Sequence, residues 1–202
     1  QAARVDRARE LLAMVDLPDA VLKLRPRQIS GGQRQRVAIA RALAVSPDVL
    51  VADEAVSALD VSVQAQILNL LEDLKVQYGL TLLFIAHDLA VVKNISDRVG
   101  VMYLGKLCET SESDELYARP AHPYTALLLE SVPEPDPTIE IDETVVEMGE
   151  LPSPLDPPSG CRFRTRCLYA QDRCAEEEPQ MRKISEEHYV ACHFPLIDVP
   201  GQ

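Results

Sequence analysis

Two short apolar runs with a helical stretch between them constrain this chain most. Val49-Leu50-Val51-Ala52 leads straight into two adjacent carboxylates, Asp53 and Glu54, and Thr81-Leu82-Leu83-Phe84-Ile85-Ala86 leads into His87-Asp88. Aliphatic runs of this length read as buried strands of a parallel sheet. Between them Val63, Ile67, Leu70, Leu71 and Leu74 recur at helical spacing, and Gly79 marks the helix end. Strand, helix and strand in that order predict an α/β architecture, a parallel sheet covered by helices. In such sheets ligands bind at the carboxyl ends of the strands, where both runs carry their polar residues. Asp53 there is suited to hold Mg²⁺ through water, and Glu54, facing the other way, to polarise a water molecule. His87 is suited to reach a terminal phosphate or its attacking water.

A second constraint is Ser30-Gly31-Gly32-Gln33 at the head of an amphipathic stretch that runs to about Val45 and stops before Pro47. Ser30 is a good N-cap, and Gln33 three residues on completes a capping box. The two glycines leave backbone N–H groups bare at the positive end of a helix, which suits a phosphate. Upstream, residues 3–15 read as a helix with Val5, Ala8, Leu11, Leu12 and Val15 on one face. Leu17-Pro18-Asp19 breaks it, a further helical piece runs to Leu24, and Pro26 interrupts before the capped helix. Downstream, Ser57-Ala58-Leu59-Asp60 turns into the helix at Val61. Val99 to Leu104 reads as another strand of the sheet, turned by Gly105-Lys106 toward Leu107-Cys108-Glu109.

Composition shifts near residue 133. Residues 134–156 hold eight acidic side chains and no basic one, with Pro133, Pro135 and Pro137 at their head; this reads as an extended linker with at most a short strand at Thr144-Val145-Val146. Leu151 to Pro158 is expected to be stiff and extended. Beyond it Cys161, Cys167, Cys174 and Cys192 are separated by five, six and seventeen residues. Hydrophobic residues at 47% and charged residues at 26% describe an ordinary folded cytoplasmic domain, where stable disulfides are not expected. Four thiolates close a tetrahedral Zn²⁺ site or hold an iron–sulfur cluster. The gaps do not match paired Cys-x₂-Cys knuckles and suit a looser loop around a larger object; unligated or disulfide-bonded cysteines are the third reading. Arg162, Arg164, Arg166 and Arg173 add charge that offsets an anionic cluster. Four cysteines in a polar segment make poor core material, Cys108 reads as packing, and His188 and His193 read as surface residues. The apolar runs are too short to span a bilayer, and a net charge of −12 argues against a nucleic-acid partner.

Taken together these motifs resemble the ATP-binding subunit of an ABC transporter. Ile29-Ser30-Gly31-Gly32-Gln33 resembles the family signature motif, Val49 to Glu54 the Walker B strand, Ser57-Ala58-Leu59-Asp60 the D-loop, and His87 the switch histidine. Ala55-Val56 stands where many members carry Pro-Thr. Asp60 to Leu68 and Ala121-His122-Pro123-Tyr124-Thr125-Ala126-Leu127-Leu128 resemble the oligopeptide/dipeptide importer subfamily and its carboxyl-terminal extension. The resemblance implies a partial P-loop NTPase core of ABC type with a helical subdomain and a small Cys-rich extension. Residues 1–46 would be part of the helical subdomain, 47–118 the later part of the ATPase core, and 119–202 the extension. No Gly-x-x-x-x-Gly-Lys-Ser/Thr loop occurs, so the chain is expected to be the carboxyl-terminal part of a longer subunit, inactive alone.

The resemblance also implies a mechanism. Two ATP-binding domains, identical or not, pair head to tail. Ser30, Gly31, Gly32 and Gln33 clasp the ATP held by the partner, while Asp53 with Mg²⁺, Glu54 and His87 serve the ATP of their own subunit, and Asp60 couples the two sites. Hydrolysis then drives two transmembrane permease subunits at the cytoplasmic face of the membrane, fed by an extracytoplasmic solute-binding protein. Some members of the subfamily carry a similar cysteine set and are associated with a [4Fe–4S] cluster. Di- or oligopeptide uptake is the expected function. Import of nickel or another small solute, and a soluble non-transport ABC ATPase, are the alternatives.

Overall fold

The helical period over residues 3–15 becomes helix α1 (Ala2–Met14), which buries Leu12 and delivers the fully buried Val15 just past its end. The computed structural model describes residues 2–131 and 151–197. Val5, at the head of α1, stays exposed, so only the second half of the expected face is used. Leu17-Pro18 ends the helix, and two 3₁₀ turns, Asp19–Lys23 and Pro26–Gln28, carry the chain to α2 (Gly31–Leu43). Arg36 of α2 reaches back to the Val15 carbonyl at 2.8 Å and the Asp16 carboxylate at 3.1 Å, tying α2 to the end of α1.

The apolar runs form β1 (Val49–Asp53) and β2 (Thr81–Ile85), which pair in parallel with Val49 opposite Thr81 and Asp53 opposite Ile85. Between them α3 (Val61–Tyr78) buries Ile67, Leu70, Leu71 and Leu74, and Gly79 closes it in the left-handed conformation (φ 62°). Each of those four aliphatic side chains contributes about 1.5–3 kcal/mol by leaving water. Helix α4 (Leu89–Ile95) follows, its first turn held by the Asp88 carboxylate, which accepts the Ala90 N–H at 2.9 Å. The parallel pairing is as expected, but the two-sided burial is not. Leu50 and Ala52 face the core, while Val49 and Val51 are 54% and 57% exposed. Among the described residues the helices cover one face of this two-stranded sheet, so the strands alternate as half-buried strands do.

The strand at 98–103 corrects the expectation of one parallel sheet. β3 (Arg98–Tyr103) and β4 (Lys106–Glu112) form an antiparallel hairpin. The connection is two residues, Leu104 (φ 45°) and Gly105 (φ 77°), and a connection that short joins only antiparallel neighbours. With β5 (Arg182–Lys183) and β6 (Tyr189–Val190) the hairpin completes a four-stranded sheet in the order β3-β4-β6-β5. Short helices α5 (Ser113–Ala118), α6 (Pro123–Glu130) and α7 (Asp172–Glu176) accompany it. The chain thus forms two compact units, Gln1–Ile95 and Ser96–Gln202, each with its own hydrophobic clusters. Residues 132–150, including most of the acidic stretch and the expected strand at 144–146, lie outside the described residues. Residues 151–158 form neither helix nor strand.

Candidate functional site

The parallel register of β1 and β2 brings the polar ends of both strands to one edge. The Glu54 N–H donates to the Ile85 carbonyl at 2.9 Å, extending the ladder one residue past Asp53. Glu54 itself has φ 47°, a conformation that costs a non-glycine residue energy. It is held there by its own N–H bond and by Ser57, whose hydroxyl and N–H both donate to the Glu54 carbonyl. The Glu54 carboxylate lies 3.5 Å from His87 Nδ1, with both side chains open to solvent. Asp53 is exposed beside them at the strand end.

Ser30 caps α2 with both halves of the capping box: the Gln33 N–H donates to Ser30 Oγ at 3.2 Å and the Ser30 N–H to Gln33 Oε1 at 2.9 Å. Gly31 and Gly32 occupy the first two helical positions, whose N–H groups have no intrahelical acceptor. Asp60 caps α3, accepting from the Ser62 hydroxyl at 2.8 Å and the Val63 N–H at 3.0 Å. Those two donors, the hydroxyl first, hold its carboxyl below the ordinary range. The two capped helix tips touch: a side chain on Gly31 would meet Leu59, and one on Gly32 would meet Val63. No hydrogen bond or ion pair among the described residues joins Ser30–Gln33 to Asp53, Glu54 or His87.

Cys161, Cys167, Cys174 and Cys192 line one pocket, together with Phe163 and His193. Backbone bonds frame it: the Cys161 N–H donates to the Cys174 carbonyl at 2.8 Å, and Arg182 Nη2 to the Cys192 carbonyl at 2.9 Å. Gly160 (φ 62°) permits the first contact, since a Cβ there would lie 2.3 Å from the Cys174 carbonyl oxygen. The cysteines do serve as core material. Cys174 is buried, and Cys161 and Cys167 pack on Tyr103, Cys108 and Phe163. Burial raises the thiols of Cys161 and Cys167 and pushes Cys192 up to about 12, with the charges of the other three adding to the rise. Among the described residues no group of three or more His, Cys, Asp or Glu side chains is placed to hold a metal ion. One zinc ion would need all four sulfurs within about 4 Å of one another.

The sequence reading missed a buried polar network. Glu109 of β4 has no solvent exposure and accepts the Ala121 N–H at 2.7 Å, the His122 N–H at 2.9 Å and His188 Nε2–H at 2.6 Å. His188 is therefore a core residue and not a surface one. His193 is half-buried, its Nε2 on the Glu177 carbonyl at 2.9 Å. Cys108 is buried as expected.

Comparison with known proteins agrees with this picture. Residues 1–57 match the ABC transporter family model, and residues 108–174 match the model for the oligopeptide/dipeptide transporter C-terminal region. The chain is 54% identical over 192 residues to "Putative peptide import ATP-binding protein BOV_A0347" of Brucella ovis, covering 95% of this chain and 60% of that protein. It is 52% identical over 192 residues to the oligopeptide transport ATP-binding protein AppF of Bacillus subtilis, covering 95% and 58%. The chain thus spans about three fifths of these relatives' length. A crystal structure of the ADP conformation of MJ1267, an ATP-binding cassette of an ABC transporter, superposes with a TM-score of 0.54 at 26% identity, covering 62% of this chain and 49% of that one. With both family segments matched in order and 52–54% identity over 192 residues, the chain is similar across 95% of its length to ATP-binding proteins of the ABC transporter family that carry the oligopeptide/dipeptide transporter C-terminal region.

Proposed function

We propose that this chain serves in an ATP-hydrolysing subunit of an ABC importer that takes up di- or oligopeptides. The observation that carries the chemistry is the strand edge, where a backbone held at positive φ presents the Glu54 carboxylate 3.5 Å from His87. The names of the relatives carry the cargo. Glu54 orients and deprotonates the attacking water, and His87 contacts the γ-phosphate. Asp53 holds Mg²⁺, which neutralises phosphate charge when bound. Gly31 and Gly32 present bare N–H groups, and Ser30 and Gln33 a hydroxyl and a side-chain amide, to the ATP of a second ATP-binding domain, and Asp60 couples the two sites. ATP stabilises the closed dimer because only the closed form satisfies both sets of contacts. Closure and release drive two permease subunits from the cytoplasmic face of the membrane, with an extracytoplasmic binding protein delivering cargo. Among the described residues no helix is long and apolar enough to cross a membrane. The functional division follows the resemblance: 1–46 helical subdomain, 47–118 ATPase core, 119–202 extension.

The four cysteines are read as ligands of a [4Fe–4S] cluster. Support comes from their convergence on one pocket. The cluster is preferred to zinc because the five-, six- and seventeen-residue gaps suit a loop around a larger object.

Replacing the water-activating carboxylate tests the central assignment. Glu54→Gln in the intact ATP-binding protein is expected to slow turnover by about 10²–10⁴ and to accumulate the ATP-closed dimer. Turnover at the wild-type rate would reject it.

A further inference from the structure

The glycine pair at the tip of α2 has a second constraint besides the approach of a phosphate. A Cβ built on Gly32 would lie 2.6 Å from Val63 Cγ1, closer than real Cβ contacts come, and one on Gly31 would lie 3.3 Å from Leu59 Cδ2. Val63 already occupies the volume a side chain at position 32 would need. It cannot easily yield. Val63 is β-branched, with few rotamers open to it in a helix, and its N–H is held by the Asp60 carboxylate at 3.0 Å. Val63 and Leu59 also pack against the core cluster of the same unit. The tip of α2 therefore rests on the Leu59 and Val63 side chains with no side chain of its own at Gly31 or Gly32.

We infer that Val63 is a positioning residue for the α2 tip: its Cγ1 sets how far the Ser30–Gln33 amides stand from the Asp60 turn and makes the two caps one rigid piece. The inference rests on the reading of that tip as a nucleotide clasp. In that reading Ser30–Gln33 and Asp60 serve one dimer interface, and a fixed spacing lets both engage in a single closure. Glycine at position 32 is then required by Val63 as well as by any ligand.

A two-position cycle separates these requirements: Gly32→Ala, Val63→Ala and the double variant in the intact ATP-binding protein, read by thermal unfolding, ATP-dependent dimerisation and turnover. Gly32→Ala is expected to lower Tm by roughly 2–6 °C through overpacking. It is expected to cut dimerisation and turnover on the order of a hundredfold through displacement of the tip. Adding Val63→Ala makes room for the new methyl, and all three readouts are expected to return to within about threefold, or a degree or two, of Val63→Ala alone. A double variant whose Tm recovers while turnover stays lost would show that the methyl blocks the nucleotide itself, and would overturn Val63 as the positioning residue. Recovery of Tm with dimerisation and turnover unchanged in every variant would fault the clasp reading and leave the contact merely structural. Gly32→Ala with wild-type Tm and turnover would remove the contact altogether.

Discussion

Glu109 shows how much one side chain can organise. Its two oxygens accept three hydrogen bonds from two chain segments: Ala121 and His122 before α6, and His188 in the β5–β6 turn. All three partners donate, so an uncharged amide in its place would set an N–H₂ against at least one of them. Glu109→Gln is expected to destabilise the protein by about 3 kcal/mol, seen as a lower urea midpoint at unchanged m-value. A loss below about 0.5 kcal/mol would show the network to be slack. None of this was legible in the sequence. His188 follows Glu186 and Glu187 and sits in a polar stretch, so local composition points to the surface. Its burial depends on a partner 79 positions away. By contrast Glu54 was legible, because an acid directly after an apolar strand has only the strand edge to occupy.

Helix ends were the best-read elements. Ser30 with Gln33, Asp60 and Gly79 all cap where their chemistry says they should, because capping is a local contest over unsatisfied backbone groups. The cap of α6 carries a prediction. His122 accepts the Tyr124 N–H on Nδ1 at 3.0 Å, and burial depresses its ring to about 4. The unfolded chain binds that proton near pH 6.5 while the folded chain refuses it until about 4. Stability is thus whole above pH 6.5 and falls as pH drops toward 4, by about 3 kcal/mol from this group. His122→Asn keeps an acceptor at the cap and removes the titration. Urea unfolding at pH 7 and pH 4.5 is expected to show a smaller acid loss in the variant, and equal losses would refute the assignment. The strand at 99–104 and the turn at Gly105 were legible, but the antiparallel pairing of β3 with β4 was not, because the turn lacks an Asn-Gly or Asp-Gly signal. Leu104 takes a positive φ that no propensity would assign to it.

At the scale of the whole molecule, the residues proposed for the nucleotide site and the cysteine pocket lie in different compact units, Gln1–Ile95 and Ser96–Gln202, each with its own core. Iron at the cysteines is therefore expected to act on the second unit. Anaerobic purification is expected to yield about four iron atoms per chain and visible absorption. Chelation is expected to lower protection from hydrogen exchange in β4 and α6 and to leave α3 unchanged. Stoichiometric zinc without iron, or neither metal, would overturn the cluster reading.

The sequence by itself determined the parallel strand pair, the capped helices and the family likeness, because each rests on local rules: side-chain period, backbone capping and motifs of contiguous residues. Only the tertiary structure decided the antiparallel second sheet, the burial of His188 on Glu109, the shared cysteine pocket and the contact of Gly32 with Val63. Those depend on which distant segments come to share one small volume, and close packing between residues far apart in the chain leaves no periodic trace in either segment.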